Sequence, residues 1–283
     1  MLRIHNYNPN YSYLRKIIIF VSIVYILGFS RAIPSYAIAT KQMIYFYSSE
    51  TTINNFKSLK MEFDTYLAKY GSYEFQPISD KEIFEKQIKD ITNCFVILSS
   101  WHFDQIHEQY ALKPSLVGIR DAKYFQRRVL VTSTKYKEFS DIDKGPIATA
   151  SNIEHTQSVL KQMFPKTKSV DTIRILTVPK DIDALMSVGF EMAKAALVAE
   201  TALKHLQKMD PHLFQRLKIL VEGKPSLLLL LVVPQNLVMD MPKVIDVFQK
   251  MPNDPEGLNI LNMLDLDGWK LINQFNELMI EPR

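Results

Sequence analysis

The sequence predicts an α/β protein built as two modest lobes, each a mostly parallel sheet flanked by helices. Three observations carry that reading. Strand-like and helix-like segments alternate between residues 43 and 98. A second, independent alternation runs from 147 to 209. The chain has 283 residues, 47% hydrophobic and 23% charged, enough for one large domain or two lobes with real cores. The same composition excludes a disordered chain, a collagen-like fibre and, with Cys94 as the sole cysteine, a disulfide scaffold.

The elements follow in chain order. Residues 1–37 contain Arg3, Arg15, Lys16 and Arg31 and no acid. Residues 17–29 are an apolar run of 13, followed by Pro34 and small residues around Ala37 and Ala39. This reads as a secretory signal cleaved after Ala37 or Ala39. As a helix the run would rise only about 20 Å, short of the roughly 30 Å hydrocarbon core. Of the 34 basic residues, removing those four leaves 30 against 30 acids, so the rest of the chain is formally neutral. That balance removes the case for a nucleic-acid partner suggested by a pI near 8.9. The exported, neutral remainder suits a periplasmic protein.

Residues 43–47 read as a strand running into Ser48, Ser49, Thr51 and Thr52, residues that cap helices. Ile53, Phe56, Leu59, Phe63, Tyr66 and Leu67 then recur at three- and four-residue spacing, one buried helical face, and Gly71 ends it. A second strand (73–78), a helix capped by Ser79 or Asp80, and a fully apolar strand (94–98) follow, the last ending in Ser99, Ser100, Trp101 and His102. Strand–helix–strand at this spacing gives a parallel sheet with helices on both faces. Residues 116–132 are extended, and the doublet Arg127-Arg128 within them reads as solvated surface. The second unit places strands at 147–150, 173–178 and 195–198, with helices opened by Ser151 and spanning 180–188 and 200–209. The apolar run 227–233, between Pro225 and Pro234, reads as one central buried strand. Three helices close the chain, at 243–251, 254–264 and 269–279.

This order resembles the solute-binding proteins of phosphate, phosphite and phosphonate ABC importers. The resemblance spans about 41 to 274. It rests on the opening strand–helix through Ser48, the strand into Trp101, the stretch Arg127-Arg128-Val129-Leu130-Val131-Thr132-Ser133, the segment Phe139-Ser140-Asp141 through Gly145-Pro146-Ile147-Ala148, the run Pro179-Lys180-Asp181 through Gly189, and the tail from Pro255-Glu256-Gly257 to Asp267-Gly268-Trp269. It implies a type II periplasmic-binding-protein-like fold with two crossover strands: signal peptide 1–37, lobe one from 38–120 and 227–283, and lobe two from 121–226. It also implies a small oxyanion-type ligand in the interlobe cleft, an ABC permease in the inner membrane as partner, a monomer, no cofactor and no enzymatic activity.

An oxyanion needs donors and a positive field, and helix N-termini supply both. The expected ligand residues are therefore Ser48, Ser49 and Thr51 on one side and Ser151, Asn152, His155 and Thr156 on the other. Ser, Thr and Asn would equally serve as helix caps alone. Trp101, Ser133 and Glu200 join the set as strand-end residues, while His102 alone reads as structural. Two departures from the family pattern bear on the ligand. Glu154 would repel an anion if it faced inward. Lys194 stands where the family often holds a ligand amine with an acid, which favours a ligand without an amine. No metal-binding histidine or cysteine pattern, nucleophile elbow, Walker loop or dinucleotide fingerprint is present. The alternative function is a sensor or accessory protein that keeps the lobes without a dedicated transporter.

Overall fold

The structure, a computed structural model, describes residues 41–50, 55–89, 93–237 and 241–272. The leader 1–37, Thr51 and most of the expected last helix lie outside these residues.

Strand β1 (Gln42–Tyr47) leads to helix α1 (Phe56–Ala68), whose N-cap Asn55 accepts from the Ser58 N–H at 2.9 Å. Then come β2 (Tyr73–Pro77), α2 (Lys81–Lys89), capped by Asp80, and β3 (Cys94–Leu98). A short helix α3 (Ser100–Ile106) follows directly. Trp101 and His102 therefore lie in the first turn of a helix and not at the end of a strand, because Ser99 is already in extended N-cap geometry. After β4 (Leu112–Ile119) the chain turns at Asp121 and Ala122, both at positive φ, into β5 (Phe125–Ser133).

The second unit runs β6 (Ile147–Thr149), α4 (Ile153–Met163), β7 (Ile175–Thr177), α5 (Asp181–Gly189), β8 (Ala195–Ala199), α6 (Glu200–Met209) and α7 (Pro211–Gln215). The run 227–233 is not one strand. Long β9 (Leu217–Leu227) ends where β10 (Leu230–Pro234) begins, and the two belong to different sheets. Helices α8 (Met241–Lys250) and α9 (Pro255–Met263) precede β11 (Gly268–Leu271). The expected helix over 269–279 thus opens as a strand: residues 268–271 pair antiparallel with 116–119 of β4, and Trp269 packs its ring on Phe248 at 5.5 Å.

Two sheets result, ordered β11-β4-β10-β3-β1-β2 and β7-β6-β8-β5-β9. Each is parallel among its βα strands and antiparallel where the crossing strands join, so both are mixed. The first sheet buries Phe46, Phe63, Phe75 and Phe248 on one face and Phe84, Val96, Leu98 and Phe103 on the other. Phe63 and Phe75 stack with ring centroids 3.8 Å apart. The second sheet buries Val129, Leu185 and Val198 against α5 and α6, and Leu130, Ile147 and Leu160 against α4. Two connections join the sheets side by side: the Leu228 N–H donates to the Tyr124 carbonyl at 3.0 Å. Among the described residues no helix is long and apolar enough to cross a membrane.

Candidate functional site

The carboxyl ends of β1, β3, β6 and β8 face a seam between the sheets, the usual ligand position in open α/β sheets. Beyond β1 the chain presents Ser48, Ser49 and Glu50. Beyond β6 it presents Ser151 and Asn152, the latter capping α4 by accepting from the His155 N–H at 2.8 Å. The two segments meet. The Asn152 N–H donates to the Ser49 carbonyl at 2.9 Å, and the Ser151 hydroxyl donates to the Glu50 carbonyl at 2.9 Å. Arg128 Nη2 donates to the same carbonyl at 2.6 Å, and Asn152 Nδ2 donates to the Tyr47 hydroxyl at 3.0 Å. Further out, Trp101 Nε1 donates to Ser158 Oγ at 3.1 Å, and Lys81 pairs with Glu154 at 2.5 Å.

Charge is concentrated at the centre of this seam. Glu50 is buried; its Oε2 accepts from Gln126 Nε2, and its Oε1 has no partner among the described residues. Burial pushes the Glu50 carboxyl above the ordinary range, although Arg128, the Trp101 N–H and Gln126 pull the other way. Arg128 is not solvated surface: it is 3% exposed and its Nη1 pairs with Asp181 at 3.0 Å. Its neighbour Arg127 does face solvent, paired with Glu222. The sheet pleat separates them, since Arg128 shares its face with Leu130 and Thr132. Asp181 also accepts the Ala199 N–H at 2.7 Å, which fixes the β8–α6 corner to Arg128. His155 is buried against the Trp101 ring (centroids 5.3 Å apart), and burial with Arg128 nearby lowers its pKa to about 3, so the imidazole is neutral.

The expected residues divide as follows. Ser49, Ser151 and Asn152 reach across the seam through backbone or side chain, and Trp101 and His155 meet over it. The Ser49 hydroxyl is engaged within the first sheet, 2.6 Å from Ser99 Oγ. Thr156 turns back to the Asn152 carbonyl at 2.7 Å, a helix-internal bond. His102 is structural, buried with Nε2 2.8 Å from Glu85. Ser133 lies elsewhere, in a small cavity of about 90 Å³ with Lys135, Glu191, Lys194 and Arg216. Lys194 there donates to the Tyr136 hydroxyl. Tyr47, Glu50, Gln126 and Arg128 belong to the seam and are absent from the expected set. None of the four carried a readable signal: β5 is buried on both faces, so the strand's period does not tell Arg128 from Arg127.

Two cavities border the seam. A chamber of about 440 Å³ is lined by Tyr47, Ser48, Phe56, Ile78, Ser79 and Lys81 from the first lobe and by Asn152, Ile153, Glu154 and Thr177 from the second. A cavity of about 240 Å³ beside the connections is lined by Arg120, Lys123, Arg127 and Lys204 and by the acids Asp121 and Glu200. Among the described residues no group of three or more His, Cys, Asp or Glu could hold a metal ion.

Comparison with known proteins gives one family match: periplasmic substrate-binding proteins of phosphonate ABC transporters, over residues 45–275. No curated protein matches the sequence. Among solved structures, a binding-protein component of an ABC phosphonate transporter from Pseudomonas aeruginosa superposes with TM-score 0.59 at 13% identity, covering 82% of each chain. A Prochlorococcus marinus protein in complex with methylphosphonate gives 0.56 at 10% identity, covering 84% of this chain and 94% of that one. A Xanthomonas citri protein bound to ATP gives 0.58 at 13% identity, covering 85% and 96%. At these identities the superpositions establish the two-lobed fold.

Proposed function

The chain belongs to the family of periplasmic substrate-binding proteins of phosphonate ABC transporters, and from that premise we propose that it captures a phosphonate-like oxyanion in its interlobe seam for an inner-membrane permease. The family consists of transport proteins and not enzymes. The observation that carries the ligand site is the meeting of Ser151 and Asn152 with Ser49 and Glu50 beside a chamber that both lobes line. Such a seam works by population shift. A ligand that contacts both lobes favours the joined arrangement by its differential affinity, and the permease reads that arrangement. The proposal includes export by the 1–37 leader, cleavage after Ala37 or Ala39, lobes bounded near 121 and 226, and action as a monomer.

The test is thermal unfolding of the chain lacking its leader, against phosphate, phosphite, methylphosphonate and sulfonates. A ligand at one hundred times its Kd adds about 2.7 kcal/mol of stability. Ser151→Ala is expected to weaken the shift while leaving the melting curve of the protein alone cooperative. No shift with any of these ligands, and no solute retained through purification, would count heavily against capture.

One observation favours a second reading, a sensor or accessory protein. The Asn152 N–H and the Ser151 hydroxyl, donors an oxyanion would use, already serve lobe-one carbonyls. A ligand reaching them must displace the Ser49–Glu50 segment. Small-angle scattering decides between the two: capture predicts a ligand-dependent change in radius of gyration, and the accessory reading predicts none.

A further inference from the structure

We infer that the ligand of this chain is an organophosphonate with a sizeable apolar substituent, and that the substituent lies in the chamber walled by Tyr47, Phe56, Ile78 and Ile153. The inference rests on the capture function proposed above and specifies its substrate class.

The first argument is size. The chamber holds about 440 Å³, within the range of pockets that enclose drug-sized ligands. At about 30 Å³ per water it has room for about 15 waters. Methylphosphonate has five heavy atoms and would leave most of that volume to solvent.

The second argument is the wall. Ile153 sits in the first turn of α4 and is 54% exposed, on the chamber side of the seam. It shares one lining with Tyr47, Phe56 and Ile78. An apolar residue left uncovered where two lobes converge gains from an apolar occupant.

The third argument is charge. Among the described residues the only cation and the only acid in the lining are Lys81 and Glu154, and they pair with each other across the lobes at 2.5 Å. Burial keeps the Tyr47 phenol un-ionised. The side-chain charges in the lining therefore cancel, and the start of α4 at Asn152 is left to supply the positive field for a head group. Ser79 and Thr177 supply neutral hydrogen bonds for a head group. With the head group common to all phosphonates, differences in affinity for a ligand seated here come from its apolar part.

Calorimetric titration of the chain lacking its leader with methyl-, butyl- and phenylphosphonate tests this. Each methylene moved out of water is worth about fourfold in affinity, so butylphosphonate is expected to bind at least about tenfold more tightly than methylphosphonate. Ile153→Trp fills the chamber from an exposed position and is expected to bring the butyl-to-methyl ratio close to one. Lys194→Ala, in the separate lobe-two cavity, is expected to leave the ratio unchanged. Methylphosphonate binding as tightly as the larger ligands, or a ratio indifferent to Ile153→Trp, overturns the inference and leaves capture standing. Failure of every phosphonate to bind overturns both.

Discussion

The seam between the lobes has a centre and a rim, and they use charge in opposite ways. At the centre, Glu50 and Arg128 are withdrawn from water, and Arg128 bonds to both the Glu50 carbonyl and the largely covered Asp181 carboxylate. At the rim, Lys81 and Glu154 form a shorter pair, 2.5 Å against 3.0 Å for Arg128–Asp181, but with side chains 33% and 59% exposed. Solvent can replace either partner at the rim but has little access to Arg128 at the centre. The shorter distance therefore does not mark the stronger hold, and burial, not bond length, decides what holds the lobes together.

Substitutions can break this contrast. Arg128→Ala strands Asp181 and the Glu50 carbonyl in the interior, and the expected loss is about 3–5 kcal/mol in urea denaturation. A loss under 1 kcal/mol would put the centre on a level with the rim. Glu50→Gln acts through pH. The folded pKa of Glu50 lies above its unfolded value, so its stability contribution is complete in acid and declines as pH rises through the folded pKa. The Gln variant lacks that decline and gains on the native chain toward pH 8, by about 1.4 kcal/mol for each unit of upward shift. Parallel stability–pH curves for the two proteins would mean that burial does not govern this acid. Trp101→Phe keeps the ring against His155 and removes the bond to Ser158, an expected cost of about 1 kcal/mol. Lys81→Ala should cost under about 1 kcal/mol, a difference that vanishes at high salt.

The same division explains what could be read from the sequence. Helix faces and caps obey local rules, so α1, α2, α4 and α6 were legible from spacing and from Asp80 or Ser151 near their starts. Strand exchange between lobes is a non-local event. Nothing in the apolar run 227–233 marks the point after Leu227 where the chain leaves one sheet for the other. Trp269 shows the same limit: an apolar residue near the chain end fits a helix as well as a strand until β4 offers a partner. At the site, Asn152 was accessible as a helix cap because capping residues at helix starts follow a pattern, whereas the expected caps Ser48 and Ser49 lie well before α1, which Asn55 caps. Glu50 was not accessible, because an acid after two serines ordinarily faces water, and only the approach of the second lobe buries it.

Cys94 opens β3, fully buried, and burial pushes its thiol up to about 12. The folded chain is thus silent toward thiol-reactive probes despite its single cysteine. A cysteine introduced on the surface of each lobe would take up dye without interference, and the spacing between dyes would report opening directly. Unfolding uncovers one native thiol per chain, so reaction with a chromogenic disulfide counts denatured molecules one at a time.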